Sequence, residues 1–257
     1  MDNNDNVLIR TIDLIKYYGK HCAVDGLNLA VRGGEIFGLL GPNGAGKTTT
    51  MKIIVGLLQP TRGRAVVDGH DVREEPLAAK AASGYVPETP ILYSHLSGRE
   101  FLCLVGDLFS LPADQSERRA GELLCAFDLL DVTDNMIDTY SHGMRQKTAI
   151  AAALMSDPRV LVLDEPTSGL DPKSARLIKD ILRQLADRGT AILISTHILE
   201  IAEHMCDRVG ILRDGRLIAV GTMDELRATD QRDASLEDIF LSLTGGAAYA
   251  QIAEVLR

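Results

Sequence analysis

The stretch from Ile36 to Leu58 constrains this chain more than any other. It opens with the apolar run IFGLL, continues as GPNGAGKT, and ends in a segment whose apolar residues recur at helical spacing. These patterns predict a strand, a glycine-rich loop and a helix in that order. The loop fits G-x-x-x-x-G-K-S/T, the pattern of a phosphate-binding loop, in the strand-to-helix context that the pattern requires.

The residue types of this loop suit a bound phosphate. Gly41, Gly44 and Gly46 lack a Cβ atom, so the backbone can bring its N–H groups close around phosphate oxygens. The helix that follows adds the positive end of its dipole. Lys47 supplies a full charge for the β- and γ-phosphates, and Thr48 supplies a hydroxyl ligand for Mg²⁺. We therefore expect nucleotide contacts from Gly41, Pro42, Asn43, Gly44, Ala45, Gly46, Lys47, Thr48 and Thr49.

Composition limits the class of protein. The chain has 257 residues, enough for one large α/β domain, and a formal net charge of −9. This charge argues against a nucleic-acid partner, because phosphate contacts need clustered Lys and Arg. No apolar run approaches the roughly 18 residues of a membrane span. The start, MDNNDNVLIR, is acidic where a secretory signal would be basic and then apolar, so we expect a cytoplasmic protein.

The cysteines give no sign of a metal centre or a disulfide framework. Cys22, Cys103, Cys125 and Cys206 are widely separated and form no C-x-x-C pair. A zinc or iron–sulfur site would need closer ligand spacing. We interpret all four as reduced thiols.

Strand signals along the chain are interrupted by one long helical stretch. Strands are predicted at residues 7–18, 22–31, 36–40, 63–69, 84–86, 160–163, 191–195, 208–213 and 216–220. The first two alternate apolar and polar residues and are expected to pair antiparallel, and the last two flank the hairpin signal Asp214-Gly215. Helical segments are predicted near residues 98–110, 114–130 and 142–156, and two or three short helices after Gly221.

These elements predict an α/β fold: a P-loop NTPase core with a mostly parallel sheet, an antiparallel β subdomain and an inserted helical subdomain. The apolar strands at 160–163 and 191–195 enclose an amphipathic helix near 173–187, which is the order of a parallel βαβ unit. We predict one domain over residues 1–257. Its core would comprise 1–86 and 158–225, with the helical subdomain in 87–157 and a short helical tail in 226–257.

Polar residues follow two of the buried strands. Asp164-Glu165 comes after the strand at 160–163, and His197 follows the strand at 191–195. Open α/β sheets bind ligands at the carboxyl ends of their strands. There one acid could hold Mg²⁺ through water, the other could polarise an attacking water, and the histidine could donate to a γ-phosphate oxygen. The plainer alternatives are that Asp164-Glu165 only marks the end of a strand in solvent and that His197 has a structural role.

Several motifs together resemble one family. The phosphate loop, YSHGMRQK at 140–147, Asp164-Glu165, SGLD at 168–171 and His197 follow one another as in the ATP-binding subunit of an ABC transporter. The resemblance covers about residues 7–225. Its most specific part is the Ser-x-Gly signature that precedes the acidic pair.

The resemblance implies a role for each matching residue. Glu165 resembles the general base, Asp164 a magnesium ligand and His197 the switch histidine. Tyr18 resembles the aromatic residue that stacks on adenine, with its neighbour Tyr17 and a plain core tyrosine as alternatives. The remaining matches, in the signature and in the loop that communicates between two sites, are Ser141, Gly143, Met144 and Asp171.

The signature also makes physical sense. Ser141 is a good N-cap, and the helix after Gly143 would aim its positive end at an anion. Since the phosphate loop already fills that role within one subunit, a second such helix end implies a second subunit facing it. The resemblance thus implies ATP and Mg²⁺ as ligands, with a second ATP-binding subunit and a multi-span membrane permease as partners. The protein would be peripheral on the cytoplasmic face of the membrane.

Two motifs depart from the common family pattern. His142 and Met144 stand where the LSGGQ signature has Gly and Gln, and Glu88 stands at the Q-loop position. Both variants, and the segment SLEDIFLSLTGG at 235–246, resemble the subset that serves ABC-2 type permeases, which are usually exporters. We expect Glu88 to reach Mg²⁺ directly or through water, a surface glutamate being the alternative.

The sequence therefore predicts an ATPase that works as a dimer and powers a separate permease, with export favoured. The transported substrate is not predicted, because its pocket would belong to the permease. The alternative from another class is a soluble ABC ATPase that moves no solute, of the iron–sulfur assembly type.

Overall fold

The computed structural model describes residues 6–229, 236–237 and 240, which fold around two sheets. The strands are β1 (Val7–Tyr18), β2 (His21–Arg32), β3 (Ile36–Leu40), β4 (Arg62–Val67), β5 (His70–Asp71), β6 (Ser83–Val86), β7 (Val160–Asp164), β8 (Ala191–Thr196), β9 (Arg208–Arg213) and β10 (Arg216–Gly221). The α-helices are α1 (Lys47–Ile54), α2 (Pro76–Ala81), α3 (Gly98–Leu108), α4 (Ala113–Ala126), α5 (His142–Ala153), α6 (Pro172–Asp187), α7 (Leu199–Met205) and α8 (Met223–Thr229). Short 3₁₀ turns lie at Leu130–Val132 and Ile137–Thr139.

The larger sheet has the strand order β10-β9-β3-β8-β7-β6. Strands β9, β3, β8, β7 and β6 run parallel, and β10 pairs antiparallel with β9. Strands β3, β7 and β8 are buried along their whole length, because apolar clusters cover both faces of the sheet. Their carboxyl ends meet at one edge, where Leu40 pairs with Thr196 and Asp164 pairs with Ser195.

The smaller sheet is antiparallel, in the order β2-β1-β4-β5. It shares one apolar cluster with α1 and with the near face of the larger sheet. The predicted antiparallel pairing of β1 with β2 is confirmed, and Tyr18 lies opposite His21 at the hairpin that joins them. This hairpin brings Tyr18 and His21 beside the phosphate loop.

Helices α3, α4 and α5 cover the opposite face of the larger sheet. They pack around Phe101, Leu124, Phe127 and Ile150, which are all buried. The three helices predicted in this part of the chain are present, so together the two sheets and this helical layer confirm the predicted α/β fold.

Some predicted boundaries were wrong, for local reasons. The helix predicted near 114–130 ends at Ala126, because Asp128 takes a positive φ of 57° and turns the chain. The first helix ends at Ile54 rather than near Leu58, because Gly56 takes a positive φ of 68°. Strand β5 and helices α2 and α7 were not predicted, since elements this short show no periodicity.

The end of the chain lies mostly outside the described residues. Helix α8 is one of the short helices predicted there. The segment 235–246 is described only at Leu236, Glu237 and Phe240. The division into core, helical subdomain and tail stays a prediction. Within the described ranges, no helix combines the length and apolar character needed to cross a membrane.

Ser97 allows a test of how much the N-terminal cap of α3 contributes to the stability of the protein. Its hydroxyl accepts a bond from Glu100 N (3.2 Å), and Glu100 Oε2 accepts one from Ser97 N (2.8 Å), which forms a complete capping box at the start of α3. Ser97→Ala should lower the free energy of unfolding by about 1–2 kcal/mol, measured by urea denaturation. Ser94→Ala, in the loop before α3, is the matched control. Equal stability of the two variants would show that the capping box does not contribute.

Candidate nucleotide site

A cavity of about 310 Å³ lies at the carboxyl edge of the larger sheet. The phosphate loop, the ends of β7 and β8 and the β1–β2 hairpin all contribute to its wall. Its lining residues are Tyr18, His21, Ala23, Asn43, Gly44, Ala45, Gly46, Lys47, Thr48, Thr49, Glu88, Asp164, Glu165 and His197. Most residues predicted for the nucleotide site therefore line one cavity, whereas Gly41 and Pro42 do not.

The loop is glycine-rich because its backbone is both unusual in conformation and tightly enclosed. Gly46, the N-cap of α1, has φ +106°, and a Cβ there would lie 2.3 Å from the carbonyl oxygen of Ala23. A Cβ at Gly41 would lie 2.4 Å from the carbonyl oxygen of Leu212. A side chain at either position would push the loop away from its neighbours. The loop is thus held with the N-terminus of α1 facing the cavity.

Lys47 is the cation of the cavity. Its Nζ donates to the carbonyl oxygens of Gly41 (2.6 Å) and Pro42 (3.2 Å). Burial lowers the pKa of Lys47, while the carboxylates of Glu165, Asp164 and Glu88 act in the opposite direction. The ammonium group therefore stands among three acids that line the same cavity, in a place where a phosphate group would pair with it.

Asp164 ends β7 with both carboxylate oxygens engaged. Oδ2 accepts a bond from Thr48 Oγ1 at 2.7 Å, and Oδ1 accepts a bond from Ser195 Oγ. Hydroxyl and carboxylate oxygens are the ligands that Mg²⁺ takes in proteins, so Thr48 and Asp164 have the chemistry to hold it. In the described part of the chain, no three His, Cys, Asp or Glu side chains group as a metal site.

Glu165 and His197 form a second pair. The imidazole Nδ1 lies 2.8 Å from Glu165 Oε1, and it donates because an ionised carboxylate can only accept. The Glu165 side chain is 8% exposed and that of His197 is 57% exposed. Glu165 has φ +51°, which is uncommon for a residue with a side chain. Its N–H donates to Ser195 Oγ (3.0 Å) and to the Ser195 carbonyl oxygen (3.2 Å).

The two neighbouring tyrosines take different places. Tyr18 lines the cavity with its ring about half exposed, and Lys16 Nζ lies 5.4 Å from the ring centroid. Tyr17 is not among the lining residues. A side-chain hydrogen bond with Cys22 raises the pKa of Tyr17. Of the two candidates for contact with a base, Tyr18 is the one that lines the cavity with the phosphate loop.

The signature residues form a separate group. Ser141 caps α5 by accepting a bond from Met144 N at 3.3 Å, and Asp171 caps α6 by accepting one from Ser174 N at 3.0 Å. The bond from Ser174 lowers the pKa of Asp171. A Cβ at Gly143 would lie 3.9 Å from Asp171 Oδ2, so the two helix starts are close together. None of the four predicted residues lines the cavity.

Three residues of this region were not predicted from the sequence. Ser195 contacts both acids, and the only sequence signal for it is a hydroxyl at the end of an apolar strand. His21 lines the cavity because the hairpin places it opposite Tyr18. His142, noted only as a departure from the signature, lies with Nε2 3.1 Å from the carbonyl oxygen of Ser168. This contact joins the start of α5 to the loop after Glu165.

Comparisons with known proteins agree with this arrangement. The family model described as "ABC transporter" matches residues 24–168. The daunorubicin resistance ATP-binding protein DrrA3 of Streptomyces coeruleorubidus is 44% identical over 91% of this chain and 74% of its own length. The linearmycin resistance ATP-binding protein LnrL of Bacillus subtilis is 38% identical over 85% of this chain and 70% of its own length.

Solved structures show the same fold. An ATP-binding subunit of an ABC transporter superposes with a TM-score of 0.86 and 36% identity, over 92% of this chain and 99% of its own. A dimeric ATP-binding cassette, MJ0796, bound to ADP and Pi superposes with a TM-score of 0.78 and 25% identity, over 84% of this chain and 99% of its own. From the cavity, the helix starts and these likenesses, we conclude that the chain belongs to the ABC transporter family, as one of its ATP-binding subunits.

Proposed function

We propose that this chain binds ATP with Mg²⁺ in the cavity, dimerises around ATP and hydrolyses it to power export through a separate membrane permease. The observation that carries the proposal is the meeting of Lys47, Thr48, Asp164, Glu165 and His197 in one cavity at a helix N-terminus. A site for phosphate binding alone would not need a buried glutamate paired with a histidine. That pair supports hydrolysis of the bound nucleotide.

Each residue has a distinct task in the proposed reaction. Lys47 and the loop N–H groups hold the β- and γ-phosphates, and Tyr18 stacks on the adenine. Thr48 and Asp164 would hold Mg²⁺, which would supply positive charge to the phosphates. Glu165 accepts a proton from the attacking water while the bond from the γ-phosphorus to the bridging oxygen breaks, giving ADP and phosphate.

His197 orients Glu165 through Nδ1. When the ring carries both protons, its Nε2 can donate to a γ-phosphate oxygen, which would make the position of Glu165 depend on the nucleotide. The positive φ of Glu165 supports a constrained geometry at this residue. His197 therefore acts as the contact between the general base and the terminal phosphate.

The separation of the two helix starts supports the dimer. Helix α1 points its N-terminus into the cavity, whereas α5 begins at Ser141 and Gly143, which do not line it. A second subunit could bring its own Ser141, Gly143 and Met144 to the phosphates across the open side of the cavity, with Asp171 close behind. The solved dimer of MJ0796 bound to ADP and Pi supports this mode of assembly by likeness.

A second cavity supports the permease contact. This groove, of about 240 Å³, lies between β6, α3 and α5, and its apolar wall includes Ile91, Phe101 and Phe109. Ile91, at the edge of this groove, is 87% exposed, so the apolar lining is accessible to a partner. The loop that places Glu88 in the nucleotide cavity also lines this groove through Pro87 and Pro90. We place a cytoplasmic segment of the permease here, with the chain peripheral to the membrane.

The names of the relatives support export. They include drug and linearmycin resistance proteins and a Nod factor export protein of Paraburkholderia xenovorans, 40% identical over 84% of this chain. Met144 and Glu88, which depart from the common family pattern, support the subset of ATP-binding subunits that serves ABC-2 type permeases. Nothing in these comparisons favours the soluble iron–sulfur assembly alternative.

The protein that binds this chain distinguishes the transport function from the iron–sulfur assembly alternative. If the tagged chain is purified from detergent-solubilised membranes, we expect a multi-span membrane protein to co-purify in a stable complex and to stimulate ATP hydrolysis. A chain carrying Ile91→Glu in the apolar groove should lose the complex while keeping nucleotide binding, because a charge there opposes apolar docking. Recovery of the wild-type chain only with soluble iron–sulfur proteins would contradict the transport function.

Glu165→Gln tests the proposed base. The variant should bind ATP but hydrolyse it roughly 100-fold more slowly or worse, because an amide cannot accept the proton. Dimers should then accumulate with Mg-ATP and be visible by size-exclusion chromatography. Glu200→Gln, which neutralises an exposed glutamate on α7 outside the cavity, is the control and should behave like the parent. If Glu165→Gln hydrolyses ATP at the parental rate, another residue is the base.

Glu88→Ala tests the proposed link between the two cavities. A carboxylate about 6 Å from a phosphate charge would repel it by roughly 3 kcal/mol at an effective dielectric of 20, so Glu88 needs Mg²⁺ nearby when ATP is bound. The variant should bind nucleotide almost normally, yet show weaker Mg²⁺ dependence and less stimulation by the permease. Thr89→Ala is the control in the same loop. An unchanged magnesium titration together with unchanged stimulation would exclude this role.

A further inference from the structure

Ser195 is a fully buried hydroxyl that touches both acids of the site. It is the next-to-last residue of β8, is 0% exposed and follows the apolar run Ala191 to Ile194. The parallel register places it directly opposite Asp164. Its hydroxyl donates to Asp164 Oδ1 and accepts from Glu165 N at 3.0 Å.

These two bonds fix the direction of the hydroxyl proton. A serine hydroxyl has one proton to donate, and the bond from Glu165 N must use a lone pair of the oxygen. The proton therefore points at Asp164 Oδ1. With Oδ1 held in this way, Oδ2 is the carboxylate oxygen beside Thr48 Oγ1, at 2.7 Å.

The same hydroxyl supports the backbone of Glu165. The left-handed backbone of this residue, with φ +51°, has to be held by surrounding bonds. Its N–H has two acceptors, and both the carbonyl oxygen and the hydroxyl oxygen belong to Ser195. One side chain thus fixes the carboxylate of Asp164 and the backbone from which the Glu165 side chain departs.

Burying the Ser195 hydroxyl costs free energy that an aliphatic side chain at this position would not cost. A hydroxyl removed from water carries a desolvation cost of about 1–3 kcal/mol unless its bonds are made, and an aliphatic residue would fill an apolar strand end without that cost. The Ser195 hydroxyl bonds to the carboxylate of Asp164 and to the backbone N–H of Glu165, whereas the hydroxyl of its neighbour Thr196 accepts from Ile198 N at 3.1 Å. The two adjacent hydroxyls are therefore a matched pair, one facing the acids and one not.

We propose that Ser195 is a positioning residue of the ATPase, which orients Asp164 so that Oδ2 and Thr48 Oγ1 together face the divalent cation, and which holds the backbone of Glu165. This inference rests on the proposed function, because it assigns Ser195 a task in the Mg-ATP site. Groups that orient metal ligands typically change metal affinity or activity by about 10–100-fold when removed.

The test separates metal-dependent from metal-independent nucleotide binding. The affinity of the purified chain for a fluorescent, slowly hydrolysed ATP analogue is measured in EDTA and in saturating MgCl₂. The Kd in EDTA divided by the Kd in MgCl₂ reports how much Mg²⁺ strengthens binding. Ser195→Ala should reduce that ratio by about tenfold, with the Kd in EDTA changed less than about twofold. The turnover rate should fall as well, since the support of Glu165 N is weakened.

Two further variants distinguish positioning from packing. Thr196→Ala removes the neighbouring hydroxyl and should leave the magnesium ratio at the wild-type value even where its thermal midpoint falls. Ser195→Thr keeps a hydroxyl and should retain most of the ratio. If Ser195→Ala keeps the wild-type ratio, or if Thr196→Ala lowers it equally, the inference is overturned. A wild-type chain whose nucleotide affinity ignores Mg²⁺ would instead overturn the proposed Mg-ATP site itself.

Discussion

The parallel alignment of β3, β8 and β7 underlies the whole nucleotide site. Leu40 pairs with Thr196 and Asp164 with Ser195, so the phosphate loop, the acidic pair and His197 all leave the sheet at the same edge. A shift of one residue in a strand would turn its side chains to the opposite face. The alignment is held by strands that are buried on both faces and packed against two separate apolar clusters. The chemistry thus depends on the packing of the core.

The backbone of the phosphate loop is shaped by the elements that pack around it. The phosphate loop passes so close to Ala23 and Leu212 that a Cβ at Gly46 or Gly41 would overlap a carbonyl oxygen. The smaller sheet and β9 therefore shape the loop from behind, and Lys47 closes it by donating to two of its carbonyl oxygens. This enclosure leaves the N-terminus of α1 aimed at the cavity, where helix amides and the Lys47 charge can act on one anion.

The acids of the site are linked across neighbouring strands and helices. Asp164 joins Thr48 at the start of α1 to Ser195 at the end of β8, and Glu165 joins Ser195 to His197. The loop after Glu165 then reaches the signature helix through the contact between His142 and Ser168. A chain of hydrogen bonds therefore runs from the nucleotide loop to the start of α5. In the proposed dimer, that helix start would face the nucleotide of the other subunit.

The sequence by itself determined the phosphate loop, the acidic pair, His197 and the Ser-x-Gly signature, because each is a local pattern beside a recognisable strand or helix start. It also determined the antiparallel hairpin of β1 and β2 and the helices of the inserted layer, whose periodicity extends over many residues. Only the tertiary structure decided the position of Ser195, which meets Asp164 from 31 residues away because two strands lie in register. It likewise decided that Tyr18 rather than Tyr17 faces the cavity and that His142 contacts Ser168. The physical reason is the same in each case: these contacts follow from how distant segments pack, and no local pattern of residues encodes that packing.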